Sequence, residues 1–303
     1  VTTQNTRKGI LLMALTMAIF AIQDGFSRHL ASEYNVLMVV MIRYWFFAAF
    51  VIALALRAQG GLRAAARTEQ PGLQIGRGVL LAVEICVMVS AFTLLGLVQS
   101  HAIFASYPLL VAALSGPVLG ERVGRLRWLA IGVGFVGVLV ILQPGFVAFS
   151  SAALVAVCSA LLFALYALLT RYAARRDSAA TSFFYTGVVG AVVSTAVGLW
   201  FWEPMSQGDW AWMILLCISG VAGHWTLIKC YEVAEASAVQ PFAYLHLVFA
   251  AALGVLVFAE TIRVSVIIGA GIVVGAGLFT LWREQRAAAR QQPESPALGE
   301  VRE

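Results

Sequence analysis

"AALSGPVLGE" occupies Ala112–Glu121, and "AALGVLVFAE" occupies Ala251–Glu260, 139 residues further on. The two stretches share Ala-Ala-Leu, a Val and a closing Glu in one register. Three more pairs keep that offset: Phe92 with Tyr231, Gly132 with Gly271 and Leu139 with Leu278. Nearer the amino ends of the halves, "FAIQDGFSR" (Phe20–Arg28) matches "FALYALLTR" (Phe163–Arg171) at an offset of 143, the difference falling in loops. Such self-similarity reads as two copies of one unit.

Composition fixes the solvent around those copies. Of 303 residues, 61% are hydrophobic and 12% charged, with a mean hydropathy of +0.89. A soluble domain carries about 25% charged residues, so this chain cannot cover itself with a wettable surface and reads as an all-α integral membrane protein. The net charge of +5 does not point to nucleic acid, because the basic residues fall in short clusters between apolar runs. The expected partners are a small-molecule substrate and the lipid bilayer, with no nucleic acid, in a monomer or weak homodimer. Cys86, Cys158, Cys217 and Cys230 lie inside apolar runs without metal or redox spacing, which predicts packing rather than disulfides.

A membrane-crossing helix needs about 20 mostly apolar residues, since lipid offers the backbone no hydrogen-bond partner. Ten segments qualify, at roughly 9–30, 35–57, 75–96, 98–119, 125–143, 149–171, 181–202, 210–232, 236–258 and 262–282. Sixteen of the twenty Lys and Arg residues fall on one side of these segments: residues 7 and 8; 57 to 77; 122 to 127; 171 to 176; and 283 to 302. By the positive-inside rule both termini are cytoplasmic. Five segments per copy is an odd number, so the second copy enters the membrane from the opposite face. The expected organisation is a cytoplasmic N-terminus (1–8), a first five-helix repeat (9–143), an inverted second repeat (149–282) and a polar, disordered cytoplasmic tail (283–303). Inverted repeats of this kind suit alternating access about a midplane site.

The fourth segment, "ASYPLLVAALSGPVLGE", is followed by the glycine-rich "IGVGFVGVLVIL", and the second half answers with "AALGVLVFAE" and "IIGAGIVVGAGLFTL". These features resemble the bacterial EamA branch of the drug/metabolite transporter superfamily, from about residue 9 to residue 282. The resemblance implies a multi-pass protein of the bacterial inner membrane with a cavity framed by segments three, four, eight and nine. It also implies export of amino acids, aromatic or other neutral ones, or of related metabolites, with amphipathic drugs as an alternative. The second half departs at Leu247, which stands where the first has Pro108.

Ionisable groups inside a bilayer are costly and mark cavities or partners. Glu84 sits mid-segment, and the repeat relates it to Gly223 beside His224, so the two are expected to approach one another. Tyr107 and His246 correspond by the repeat at similar depth, and Phe104, Trp225 and Tyr244 supply apolar surface for a solute. These seven form the expected substrate site. Gln99, His101 and Gln240 lie nearer segment ends as gate groups, while Asp24, Arg28 and Arg43 suggest an ion-paired triad near the outer side. Glu121 and Glu260 stand just before segments five and ten, where a helix N-terminus favours negative charge. No HExxH, GxSxG or Walker A pattern occurs and the four histidines are far apart in sequence, so neither an enzyme, a metal site, a cofactor nor an ATP-driven pump is expected. A channel is the remaining alternative. Single cysteines placed in the 58–70 and 203–209 loops should react with a membrane-impermeant thiol reagent from opposite sides in sealed vesicles; labelling from the same side would reject the topology.

Overall fold

The computed structural model describes residues 5–120, 124–142, 151–234 and 239–291. They form helices α1 (Thr6–Glu33), α2 (Val36–Arg57), a short α3 (Gly61–Ala66), α4 (Pro71–Phe104), α5 (Tyr107–Leu119), α6 (Arg125–Leu142), α7 (Ser151–Ala173), α8 (Ala179–Gly198), α9 (Gln207–Val233), α10 (Leu245–Phe258) and α11 (Val264–Gln291). Two three-ten stretches, Leu199–Phe201 and Gln240–Tyr244, extend α8 and lead into α10. No strand occurs among the described residues. Among the described residues, eight helices are long and apolar enough to cross a membrane; two more, Tyr107–Leu119 and Trp128–Leu142, are apolar but shorter. Residues 121–123, which include Glu121, and the tail beyond Gln291 lie outside the described residues.

Helix starts follow the sequence. Asn35 Oδ1 accepts the Leu37 N–H at 2.9 Å, Ser178 Oγ accepts that of Thr181 at 3.0 Å, and Ser206 Oγ that of Asp209 at 3.1 Å, each satisfying an amide the first turn leaves open. Pro71 opens α4, where its missing N–H costs nothing, and Gly120 closes α5 with φ 75°. Large apolar side chains point outward along the bundle, Trp200 at 84% and Leu256 at 82% exposure being extremes, as lipid-facing surfaces require. Exposed Trp45, Trp200, Trp202, Trp210 and Trp212 gather around the α8–α9 junction, and Trp45 stacks on Trp202. Indoles prefer the headgroup level, which makes this end a membrane interface.

Helix packing follows the repeat. α1 packs along α9 and α4 along α7; α1 meets α10 as α5 meets α7; α4 meets α8 as α2 meets α9; α2 pairs with α8 and α6 with α11. Exchanging α1, α2, the first arm of α4, α5 and α6 for α7, α8, α9, α10 and α11 leaves this pattern unchanged. In the α6/α11 crossing, a Cβ on Gly137 would stand 2.8 Å from the Gly269 carbonyl oxygen and one on Gly269 2.5 Å from that of Gly137. The backbones touch there because neither residue carries a side chain. Gly132, Gly271 and Gly275 of the same glycine-rich stretches meet nothing within 4 Å.

The boundary expected between the third and fourth segments is a break inside α4. Gly96 has φ 81° and ψ 174°, a region essentially reserved for glycine, and the helix resumes at Leu97. The new helical arm opens with unsatisfied amides. Glu260, from the other half, satisfies them: its Oε1 accepts the Leu97 N–H and its Oε2 the Val98 N–H, both at 2.8 Å, while Arg28 ion-pairs with the same carboxylate. This corrects two expectations. Glu260 caps the second arm of α4, not its own following helix, and Arg28 pairs with it instead of with Asp24. Ala259, in the left-handed region at φ 52°, turns the chain so that Glu260 faces the break. In the second half the three-ten stretch Gln240–Tyr244, which contains Pro241, leads into α10, and Leu247 stands where the first half has Pro108.

At the opposite end a polar knot holds α4 to α7 and α8. Arg77, 1% exposed, donates to Thr170 Oγ1 (3.0 Å) and Gln74 Oε1 (2.5 Å) and lies over the Tyr166 ring; Gln74 donates to Asp177 Oδ2 (2.8 Å) and Ser182 Oγ (3.1 Å). Arg77 is thus a buried structural cation, unlike the solvated loop residue implied by grouping it with the topology charges. Burial alone would raise the Asp177 pKa, but hydrogen bonds from Thr68, Gln74 and the Glu69 N–H, with the Arg77 charge, hold it below the ordinary carboxylate value.

Gly96→Ala should destabilise the protein by about 2 kcal/mol or more, since its Cβ would lie 2.6 Å from Glu260 Oε1 and its backbone would be strained. Glu260→Ala should do likewise, and the swap Arg28→Glu with Glu260→Arg should not rescue it, because arginine cannot accept the two amides; rescue in a thermal-melt assay would show a simple ion pair. A lowered native pKa stabilises above the unfolded value of about 4 and is lost as pH falls through the native value. The melting difference between wild type and Asp177→Asn should therefore be present at pH 7 and shrink below about pH 4; a difference independent of pH would contradict this.

Candidate functional site

The ionisable side chains of the membrane interior gather where α1, α2, α4, α9 and α10 meet. Glu84, 4% exposed on α4, accepts a 2.7 Å hydrogen bond from Ser159 Oγ of α7. Its expected approach to His224 does not occur by contact. His224 is instead enclosed by phenylalanines: its ring lies 5.3 Å from Phe20, 5.2 Å from Phe47 in a stacked pose and 5.7 Å from Phe183. Arg43 links the two regions, its charge acting on both Glu84 and His224. Among the described residues no hydrogen bond or ion pair engages the Arg43 guanidinium, so the expected triad with Asp24 and Arg28 dissolves into three separate arrangements.

Asp24 turns to histidines. Its Oδ2 lies 2.9 Å from His246 Nε2 and 3.1 Å from His101 Nε2, and the two imidazoles meet with centroids 4.5 Å apart. Residues expected in different roles, Asp24 in an ion-paired triad, His101 as a gate group and His246 as a substrate ligand, therefore form one cluster. They are the described residues that offer three metal-type ligand atoms within 4.8 Å of one another. An ionised carboxylate at this depth needs a compensating cation, and Arg28 is occupied by Glu260.

A second aromatic row runs along α4, α5 and α7. Phe104 lies 5.2 Å from Tyr107 and 5.2 Å from Phe163, Tyr107 meets Phe163 edge-on at 4.8 Å, and Phe163 continues to Tyr166 at 6.0 Å. Phe104 and Tyr107 were expected near the site. Phe163 and Phe20 were missed, although they begin the two matched phrases "FALYALLTR" and "FAIQDGFSR"; the repeat places one in each aromatic group. Ser159, Phe47 and Phe183 carried no distinguishing signal, being ordinary members of apolar runs.

Two expected site residues lie elsewhere. Trp225 is 43% exposed and has the Lys229 ammonium 5.0 Å from its ring centroid, on the outer surface of α9, because one residue along a helix turns the side chain by about 100° from His224. Tyr244 packs into the core beside α11, against Gly277. The Gln240 side chain lies outside the described residues. Gln99 lines a cleft of about 310 Å³ with Leu95, Val98, Glu260, Thr261 and Arg263, at the mouth formed by the α4 break and away from the polar centre.

Comparison with known proteins gives this arrangement a lineage. The profile of the EamA-like transporter family matches twice, at residues 7–143 and 150–282. An S-adenosylmethionine uptake transporter of Rickettsia prowazekii is 26% identical over 92% of this chain and 94% of its own length. A riboflavin transporter of Vibrio cholerae is 28% identical over 92% and 95%, and one of Rhizobium johnstonii 30% identical over 78% and 79%. A solved crystal structure, 19% identical, superposes with a TM-score of 0.60 over 93% of this chain and 98% of that one, which shows a shared fold. These relatives are named for S-adenosylmethionine and riboflavin, so the aromatic amino-acid exporter expectation finds no support in them. With two family matches that together span nearly the whole chain, this multi-pass membrane protein belongs to the EamA-like transporter family.

Proposed function

We propose that the chain is a secondary transporter that takes up a small metabolite carrying a planar heteroaromatic ring together with polar or charged groups. It does so by alternating access between two inverted five-helix repeats, with ten spans, both termini cytoplasmic and a location in the bacterial inner membrane. The observation that carries the substrate class is the Arg43 guanidinium, unpaired among the described residues, whose charge acts on Glu84 and on the ring-enclosed His224. An arginine in a bilayer without a protein partner is costly unless a solute or water meets it. The rings around His224 offer stacking surface, and the cation offers a hydrogen-bonding fork to a carboxylate, phosphate or ring carbonyl. Solutes such as S-adenosylmethionine and riboflavin combine those two features, and the relatives named for them favour this class over simple neutral amino acids. The name of the Rickettsia relatives favours uptake over export.

Alternation needs the halves to separate at one end and close at the other. The closed contacts available are the Arg28–Glu260 pair beside the α4 break and the Arg77–Gln74–Asp177 knot at the opposite end. Proteoliposome counterflow with radiolabelled S-adenosylmethionine, riboflavin and tryptophan tests the reading. One of the first two should exchange and tryptophan should not. Arg43→Gln should lower exchange by about 10- to 100-fold, the equivalent of one charge-assisted hydrogen bond, while Leu256→Ala on the lipid face leaves it unchanged. Exchange of tryptophan alone, or an Arg43→Gln protein as active as wild type, would overturn it.

A further inference from the structure

We propose that Asp24, His101 and His246 form a binding site for a divalent transition-metal ion of the zinc or cobalt kind. Two imidazole nitrogens and one carboxylate oxygen are a ligand set such ions favour. The three arrive from α1, the second arm of α4 and α10, which brings both halves of the chain to one point. Metal–ligand bonds of about 2.0–2.1 Å at tetrahedral angles put ligand atoms about 3.3 Å apart. The observed separations of Asp24 Oδ2 from the two nitrogens, 2.9 and 3.1 Å, come within a few tenths of an ångström of that, and all three ligand atoms lie within 4.8 Å.

A second observation separates this cluster from an ordinary hydrogen-bonded trio. His101 is 3% exposed, and its Nε2 has no hydrogen-bond partner even though Asp24 Oδ2 is 3.1 Å away. The nitrogen and the oxygen are close but do not face each other along a hydrogen bond. A buried imidazole nitrogen left so costs about 1–3 kcal/mol; coordination gives its lone pair a partner. The same ion compensates the Asp24 charge, for which no Arg or Lys is provided among the described residues. The rings of Phe92, 5.2 Å from His101, and Phe20, 6.3 Å from His246, flank the cluster. A metal held here ties α1 and α4 of the first half to α10 of the second.

The binding measurement needs no transport substrate, so its failure is distinct from failure of the proposed transport function. Full-length protein in detergent, freed of metal with a chelator, is titrated with Co²⁺ and followed by visible absorption and calorimetry. One ion per chain is expected, with the d–d bands of low-coordinate Co²⁺. Asp24→Asn and His246→Gln should each weaken binding by more than about tenfold, since even loss of a supporting partner costs that much. His29→Gln, a histidine paired with Asp209 elsewhere, should retain it. His246→Cys should bind with a new thiolate-to-cobalt charge-transfer band, a signature that misfolding cannot produce. Absence of a one-to-one Co²⁺ spectrum in the wild type, or retention of it in both Asp24→Asn and His246→Gln, would overturn the proposal.

Discussion

A bilayer gives a peptide bond nothing to bind, so a helix that stops inside it must have its open amides answered by protein. At Gly96 the structure meets that demand with a carboxylate from the opposite half. Glu260 accepts two amides of the resumed helix and the Arg28 guanidinium together, and none of the three contacts is local in sequence. The break in turn sends Ser100, His101 and Phe104 along a new axis. His101 reaches Asp24 and Phe104 reaches the α7 rings because the second arm of α4 is aimed by this joint. Folding of one half and assembly of the two are therefore coupled at one side chain.

Much of this was legible in the sequence. Apolar run lengths located the helices, and the third expected segment, roughly 75–96, ends where the backbone at Gly96 leaves helical geometry. The main helix contacts keep their pattern when the helices paired by the repeat are exchanged, apart from those of α4 with α1 and with α10. What escaped was the partner of each polar group. Glu260 reads locally as a cap for the helix that follows it, since sequence carries no sign of a break 164 residues earlier. His224 and Trp225 read alike as cavity residues, yet a turn of about 100° per residue sends one among rings and the other toward lipid.

The polar centre shows why charges in a membrane are best read as an ensemble. Asp24, Arg28 and Arg43 form one cluster by sequence proximity and helix depth, but each finds a different environment. Arg28 is neutralised by Glu260, Asp24 is turned toward two imidazoles, and Arg43 has no hydrogen-bond or ion-pair partner among the described residues. The separation matters because a guanidinium already paired to a carboxylate has little left to offer a solute. Glu84, held by Ser159 within range of Arg43, sets the local potential without occupying the fork.

The contact of Gly137 with Gly269 has a consequence for how such a chain can change over time. Each glycine sees the other's carbonyl oxygen where its own side chain would begin, so a methyl group gained at either position collides with main chain, which has no rotamer to escape into. Replacement of one partner cannot be accommodated by replacement of the other, unlike a large-for-small exchange between interlocking side chains. The seam is thus fixed at both positions at once, and variation has to enter through neighbouring faces such as those of Gly132, Gly271 and Gly275, where space is open.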